Sequence, residues 1–236
     1  MTTPLFSLVH ATARLPKGWM MAADSWAKKC DNPAAVEYVL CVDKGRESEI
    51  GDNTDHMWQA WGEFKFVVNE GRRTAVDAYN EAARHSTGDI IIMASDDYFP
   101  PQHWDTAIAS AVDAVCRYDD EFVLDVDNQE GSDWLLPFSF LSRAYYNRLG
   151  CMFWPEYAGY GADNDFTYRA RQDGVVIPAR HIKFSHRMLP HDDAVYLHQR
   201  SFDGQPTLDR RQREGFPYSP ALVEQCLNNR LAGVPG

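Results

Sequence analysis

No CxxC pair occurs among the five cysteines, and their number is odd. That disfavours a disulfide framework or a cysteine zinc site. Cys30, Cys41, Cys116, Cys151 and Cys226 read instead as reduced, mostly buried thiols of a cytosol-like compartment. No apolar run approaches the roughly 18 residues needed to cross a bilayer. Met1-Thr2-Thr3-Pro4 leads straight into a short apolar strand, with no leader-like pattern. A cytoplasmic protein without a transmembrane segment is the expectation. Basic charge is also scarce: 23 Lys+Arg stand against 34 Asp+Glu, a net charge of -11. That balance argues against broad binding to nucleic acid or anionic membranes. The deficit is uneven. From Phe166 to Arg213 there are nine Lys/Arg, five Asp/Glu and four histidines, which leaves room for a local anion-binding surface. At 236 residues and 44% hydrophobic, the chain can bury one good core. One domain over residues 1–188 is expected, with an extension over 189–236 serving as lid or oligomerisation segment.

What is present concentrates between Asn69 and Pro101. Asn69-Glu70-Gly71 is a turn or helix entry. Ala75, Val76, Tyr79, Ala82 and Ala83 then recur at helical spacing, and Ser86-Thr87-Gly88 ends the helix. The run Ile90-Ile91-Ile92-Met93-Ala94 reads as a strand buried on both faces, as in a parallel sheet. It delivers Ser95-Asp96-Asp97, and Pro100-Pro101 stops it. Ligands of open α/β sheets bind at the carboxyl ends of strands, and hard divalent cations are held by one or two carboxylates plus substrate phosphates. A solvated Asp-Asp turn is the plain alternative; the ordered helix, glycine, buried strand and Asp-Asp favour a metal–phosphate site.

Before that stretch, Leu5–Val9 and Val36–Val42 read as strands flanking a helix marked by Trp19, Ala22, Ala23, Trp26 and Cys30, a βαβ unit. Asp43 leaves the second strand, placed either to accept from a ribose or pyrimidine imide or to begin an ordinary turn. Glu47–Trp61 reads as loop with a short helix, and Phe64–Val68 as a third strand. Downstream, a helix is expected over Trp104–Val115, strands over Glu121–Val126 and Trp134–Ser139, and a helix over Leu141–Leu149. A Gly- and aromatic-rich loop from Trp154 then enters a helix whose first turn carries Asp163 and Asp165. Ordinary capping explains such acids; the aromatics and glycines suggest in addition a sugar- or acceptor-facing wall. Gly174 ends this helix and Val175–Pro178 is a strand. His181, His186, His191 and His198 follow; a lone histidine is usually an ordinary surface or core residue, but His181, His186 or His191 near an Asp-Asp site is a candidate metal ligand. Arg210-Arg211-Gln212-Arg213 reads as a solvated face, and Tyr196, Leu197, Phe202 and Phe216 as residues able to pack on a second subunit.

In this order the elements resemble a GT-A-fold, family 2-type glycosyltransferase over about residues 5 to 187. The strand ending in Asp43, Asn69-x-Gly71 with Ala75 and Asn80, Gly88-Asp89 before Asp96-Asp97, and Asp163-x-Asp165-Phe166-x-x-Arg169 followed by a His carry the likeness. It implies a Rossmann-like α/β fold with a mixed, mainly parallel sheet flanked by helices; the C-terminal tail is expected to be irregular. The resemblance implies that Asp43 contacts the nucleotide base and Asp96 its ribose or the metal. Asn69, Gly71 and Arg72 would frame the donor site. Asp97 and His186 would ligate Mn2+ or Mg2+ on the diphosphate of a nucleoside-diphosphate sugar, UDP-linked by expectation, and Asp163 would be the general base. Two departures stand out: Ala94 occupies a position that is often acidic, and Ala162 replaces the Glu that commonly precedes the base. The QxxRW signature of processive, membrane-embedded members is absent.

The chemistry suits these residue types. A cation offsets charge on the leaving diphosphate, while a separate carboxylate takes the proton of the acceptor hydroxyl. One base and direct displacement imply inversion, with Asp165 the second choice for base. The acceptor stays open among a glycan, a lipid-linked molecule, a small molecule and a modified DNA base. A nucleotidyltransferase is disfavoured because His10-Ala11-Thr12-Ala13-Arg14 has no glycine. A non-catalytic sugar-binding domain is the remaining alternative, and it would tolerate loss of Asp97 and Asp163.

Overall fold

The computed structural model describes residues 5–13, 16–50, 58–129, 133–187 and 204–231. Strands β1 (Phe6–Ala11), β2 (Val36–Asp43), β3 (Glu63–Asn69) and β4 (Ile90–Ala94) form the parallel half of a seven-stranded sheet. The short β5 (Tyr98–Phe99) follows, then β6 (Val123–Asp127), β7 (Phe140–Ser142), β8 (Val176–Lys183) and β9 (Ser185–His186). The main sheet runs β3-β2-β1-β4-β7-β6-β8, and β5 pairs with β9 in a separate two-stranded ribbon. The helices are α1 (Lys17–Lys28), α2 (Ala75–His85), α3 (Trp104–Asp113), α4 (Arg143–Leu149), α5 (Ala162–Gln172), α6 (Gln205–Glu214) and α7 (Pro220–Leu231).

Alternation along the central strands explains why both faces are covered. Leu8, Leu40, Ile90 and Ile92 face a core shared with Trp19, Trp26, Trp104 and Ile108, from α1 and α3. Val9, Val39, Cys41 and Ile91 face the other core, with Val76 and Tyr79 of α2 and Phe166 of α5. A period of two with apolar residues on both sides is the signature of a doubly covered sheet. Thr74 caps α2 by accepting the Asp77 N–H at 3.2 Å, which orients the helix whose entry loop carries Asn69–Arg72.

As expected of a mixed, mainly parallel sheet, β4 is parallel to β1 and antiparallel to β7, so it forms the seam between two kinds of pairing. Two expectations are corrected. Trp134–Ser139 is not a strand. Pro137 cannot donate to a ladder, the Leu136 N–H is taken by Thr167 Oγ1 at 3.0 Å, and Phe138 stacks on Tyr98; the strand begins at Phe140. Residues 204–231 are not irregular, since they form α6 and α7. Elsewhere, α3 stops at Asp113 and leaves Val115 63% exposed. Residues 51–57, together with His191, Tyr196, Leu197, His198 and Phe202, lie outside the described residues. Phe216 is buried within this chain, stacked on Tyr168. All five cysteines are free, with Cys41, Cys151 and Cys226 buried. No described helix is long and apolar enough to cross a membrane.

Candidate active site

Strand order places β1 and β4 side by side after the chain has first moved outward through β2 and β3. Such a reversal opens a crevice at the carboxyl ends of the strands. Asp96 and Asp97 leave β4 there. Asp96 turns inward and is 6% exposed. Thr12 Oγ1, just past β1, donates to its carboxylate, 2.8 Å from Oδ1 and 2.9 Å from Oδ2. His10 Nε2 lies 3.1 Å from Oδ1, and His10 Nδ1 meets the Tyr38 hydroxyl. Tyr38 is fully buried, so burial pushes its phenol well above the ordinary range and Asp96 adds to the effect. Tyr79 of α2 donates to the Ala94 carbonyl at 2.8 Å, and burial, with Asp97 and Asp96 next, raises its phenol as well. Both hydroxyls therefore remain protonated donors beside the acidic pair.

Asp97 turns the other way. Ser95 Oγ donates to its Oδ1 at 2.6 Å, and His186 Nε2 stands 3.7 Å from the same oxygen. The ribbon brings them together: Tyr98 pairs with His186, and the Arg187 N–H donates to the Asp97 carbonyl at 2.8 Å. Phe138 sets its ring edge-on to the imidazole, with centroids 5.8 Å apart. Ligand bonds of about 2.1 Å to one ion allow two donor atoms at such a separation, so this pair fits a divalent cation. Among the described residues no group of three or more His, Cys, Asp or Glu could hold a metal. Diphosphate oxygens and water would complete the shell, the usual arrangement for Mg2+ at phosphate sites.

On the far side of β1, Asp43 and Asn69 are register partners. Asn69 Nδ2 donates to Asp43 Oδ1 at 2.8 Å and to the Arg72 carbonyl at 2.7 Å, while its Oδ1 accepts the Gly71 N–H at 3.0 Å. Burial raises the Asp43 carboxyl, opposed by the Asn69 amide and by Arg73 and Arg46. Arg72 faces protein acceptors: its Nη2 donates to Asp77 Oδ1 and to the Pro155 and Tyr157 carbonyls at 2.9, 2.7 and 2.7 Å. It braces the loop before α5.

Asp163 is half-buried in the first turn of α5, and its Oδ1 accepts the Asn164 N–H at 2.9 Å. Burial lifts its carboxyl above the ordinary range, with backbone N–H groups opposing. Among the described residues no ion pair reaches it, and no hydrogen bond joins it to the Asp96–Asp97 group. The helix N-cap is Gly161, at φ 88, without a side-chain cap. A Cβ there would meet Tyr157 Cε1 at 3.1 Å, so glycine suits both the left-handed backbone and the contact. Asp165 differs from Asp163 in being fully buried. It accepts from Arg211 Nε at 2.8 Å and from the Tyr157 hydroxyl at 3.1 Å.

A family model described as glycosyl transferase family 2 matches residues 37–160, more than half of the chain. The chain belongs to glycosyl transferase family 2. No curated protein matches this family 2 chain. Among solved structures, S. aureus TarS is similar at 16% identity and TM-score 0.60, over 80% of this chain and 38% of TarS. The mannosyltransferase PcManGT from Pyrobaculum calidifontis, in complex with GDP-Man and Mn2+, is 17% identical with TM-score 0.59, over 85% of this chain and 62% of that one. S. aureus TarS 1-349 in complex with UDP-GlcNAc is 14% identical with TM-score 0.57, over 79% of this chain and 60% of that one. At these identities the likeness is one of fold, the GT-A architecture, and the family 2 chain spans less than two thirds of each of these structures.

Sequence reasoning missed His10, Thr12, Tyr38 and Tyr79. The signal existed for the first two: polar residues at the end of β1 must meet whatever leaves an adjacent parallel strand. The arginine run is a correction. Arg211 is not on a solvated face; it is fully buried, its guanidinium carbon 3.8 Å from the Trp154 ring centre. Trp154 and Tyr157 are likewise core residues, while Tyr160 is 64% exposed, so the aromatic loop is mainly packing.

Proposed function

We propose that this family 2 chain transfers a sugar from a nucleoside-diphosphate sugar to an acceptor hydroxyl, by single displacement with inversion. The observation that supports it most directly is the convergence of Asp97 and His186 to 3.7 Å at the sheet crevice. There they would hold Mn2+ or Mg2+, which offsets charge on the departing diphosphate. Asp96, fixed by Thr12 and His10, would present its carboxylate to the ribose. Asp43, steadied by Asn69, would face the base, uracil in our reading. Asn69, Gly71 and Arg72 shape the wall between Asp43 and α5. The ligands of the solved neighbours, GDP-Man with Mn2+ and UDP-GlcNAc, support that donor class.

Asp163 would take the acceptor proton. A base must be reachable, unpaired and raised toward the working pH, and Asp163 meets these conditions. Asp165 does not, because a fully buried Arg211 occupies its carboxylate. The test is calorimetric titration of UDP, GDP and UDP-sugars with and without Mn2+. Metal-dependent binding is expected, and its absence for every nucleotide would sink the proposal.

A further inference from the structure

Four arginines, Arg72, Arg210, Arg213 and Arg230, line one cavity of about 440 Å3. It lies where α6 and α7 meet the loop around Pro155 and Glu156, and Arg72 alone is shared with the residues assigned to the sheet edge. Among the described residues Glu156 is the single carboxylate in the lining. Arg210 pairs with it and with Glu214, while Arg230 and Arg72 share Asp77 from behind. Four guanidinium charges thus meet three carboxylates, a local positive excess in a chain whose net charge is -11.

The forks are held open by backbone. Arg230 Nη1 donates to the Pro155 carbonyl at 2.8 Å, and Arg72 Nη2 donates to the same oxygen at 2.7 Å. These bonds leave the Nε–H groups of Arg210 and Arg230 without acceptors among the described residues. Arg213, exposed at the rim, has no hydrogen bond or ion pair to them either. A purely structural ion-pair network has no use for a fourth arginine without a carboxylate, nor for an open volume between the forks. Arg72, Arg210 and Arg230 are held by carboxylates and backbone carbonyls with Arg213 beside them at the rim, and clustered guanidinium donors of this kind match the oxygens of a phosphate.

We propose that this cavity binds a phosphate group, either inorganic phosphate or the monoester of a small phosphorylated molecule. The cavity shares only Arg72 with the donor assignment, and its test rests on that reading in that UDP and Mn2+ are used to fill the donor site first. Its test is titration of the whole chain with inorganic phosphate in the presence of saturating UDP and Mn2+. Saturable binding is expected, weakened about tenfold or more by Arg213→Glu. Arg117→Glu, the same charge change at an arginine that is 80% exposed, should leave it intact. No phosphate binding, or equal loss in both variants, would overturn the proposal. So would binding seen only without UDP, since the phosphate would then occupy the nucleotide site. Glucose 6-phosphate compared with glucose separates the sources. Affinity well above that of inorganic phosphate, lost in Arg213→Glu, assigns the site to a monoester; affinity equal to it assigns the free anion.

Discussion

Arg211 donates to both oxygens of Asp165, at 2.8 and 3.3 Å, from 46 residues further along the chain, and neither side chain is more than 1% exposed. The guanidinium lies 3.8 Å from the Trp154 ring centre and 4.9 Å from that of Tyr218. Removing it would strand a carboxylate in the core. Arg211→Ala should therefore destabilise the fold by about 3–5 kcal/mol, read by urea denaturation. Arg213→Ala, two residues on and exposed, should change stability by less than about 0.5 kcal/mol.

His186→Ala and Asp97→Asn should each weaken Mn2+-dependent nucleotide binding by at least about tenfold, measured calorimetrically. His181→Ala should leave it unchanged, because His181 sits exposed on β8, outside the ribbon. The reverse ranking of the two histidines would refute the assigned ligand.

Asp163→Asn should retain donor binding and lower turnover by about 10²–10⁴-fold. A base acts when deprotonated, and burial raises this carboxyl. The rising limb of kcat/KM against pH should therefore lie above the ordinary aspartate value of about 3.9 and vanish in the variant. Full turnover in Asp163→Asn would move the role elsewhere.

Stability should fall in acid for two named reasons. Burial alone would raise the Glu37 carboxyl, but Lys65, Ser7 and the N–H groups of Thr87 and Gly88 outweigh it and hold it low. Asp77 is likewise lowered against burial, by Arg72 and Arg230. A carboxyl held lower in the folded state binds fewer protons there, so its stabilisation is present above its unfolded value and lost as pH falls through the folded one. Denaturation midpoints should drop below about pH 4.5, and less steeply in Glu37→Gln.

The parallel half of the fold was legible because its signals are local. Ile90–Ala94 is apolar and bounded by breakers, and α2 has a clean stripe from Val76 to Ala83. The Asp97–His186 pairing could be anticipated in kind through the family likeness, but no local pattern announces a ribbon of two residues. Trp134–Ser139 misled for a related reason, since its apolar side chains plug an aromatic cluster and Pro137 denies it a ladder. Arg211 was the hardest. Nothing in a run of arginines distinguishes the one that enters the core, because its carboxylate partner lies on another helix.

The β5–β9 ribbon has two pairs, Tyr98 with His186 and Phe99 with Ser185, and so short a ladder has little cohesion of its own. Tyr98 is instead clamped by ring stacking, with Phe138 on it and Phe184 at 5.0 Å. Aromatic thickness, more than backbone pairing, therefore gauges the gap between Asp97 and His186. Trimming Phe138 to a smaller apolar side chain would loosen that spacing without touching Asp97 or His186.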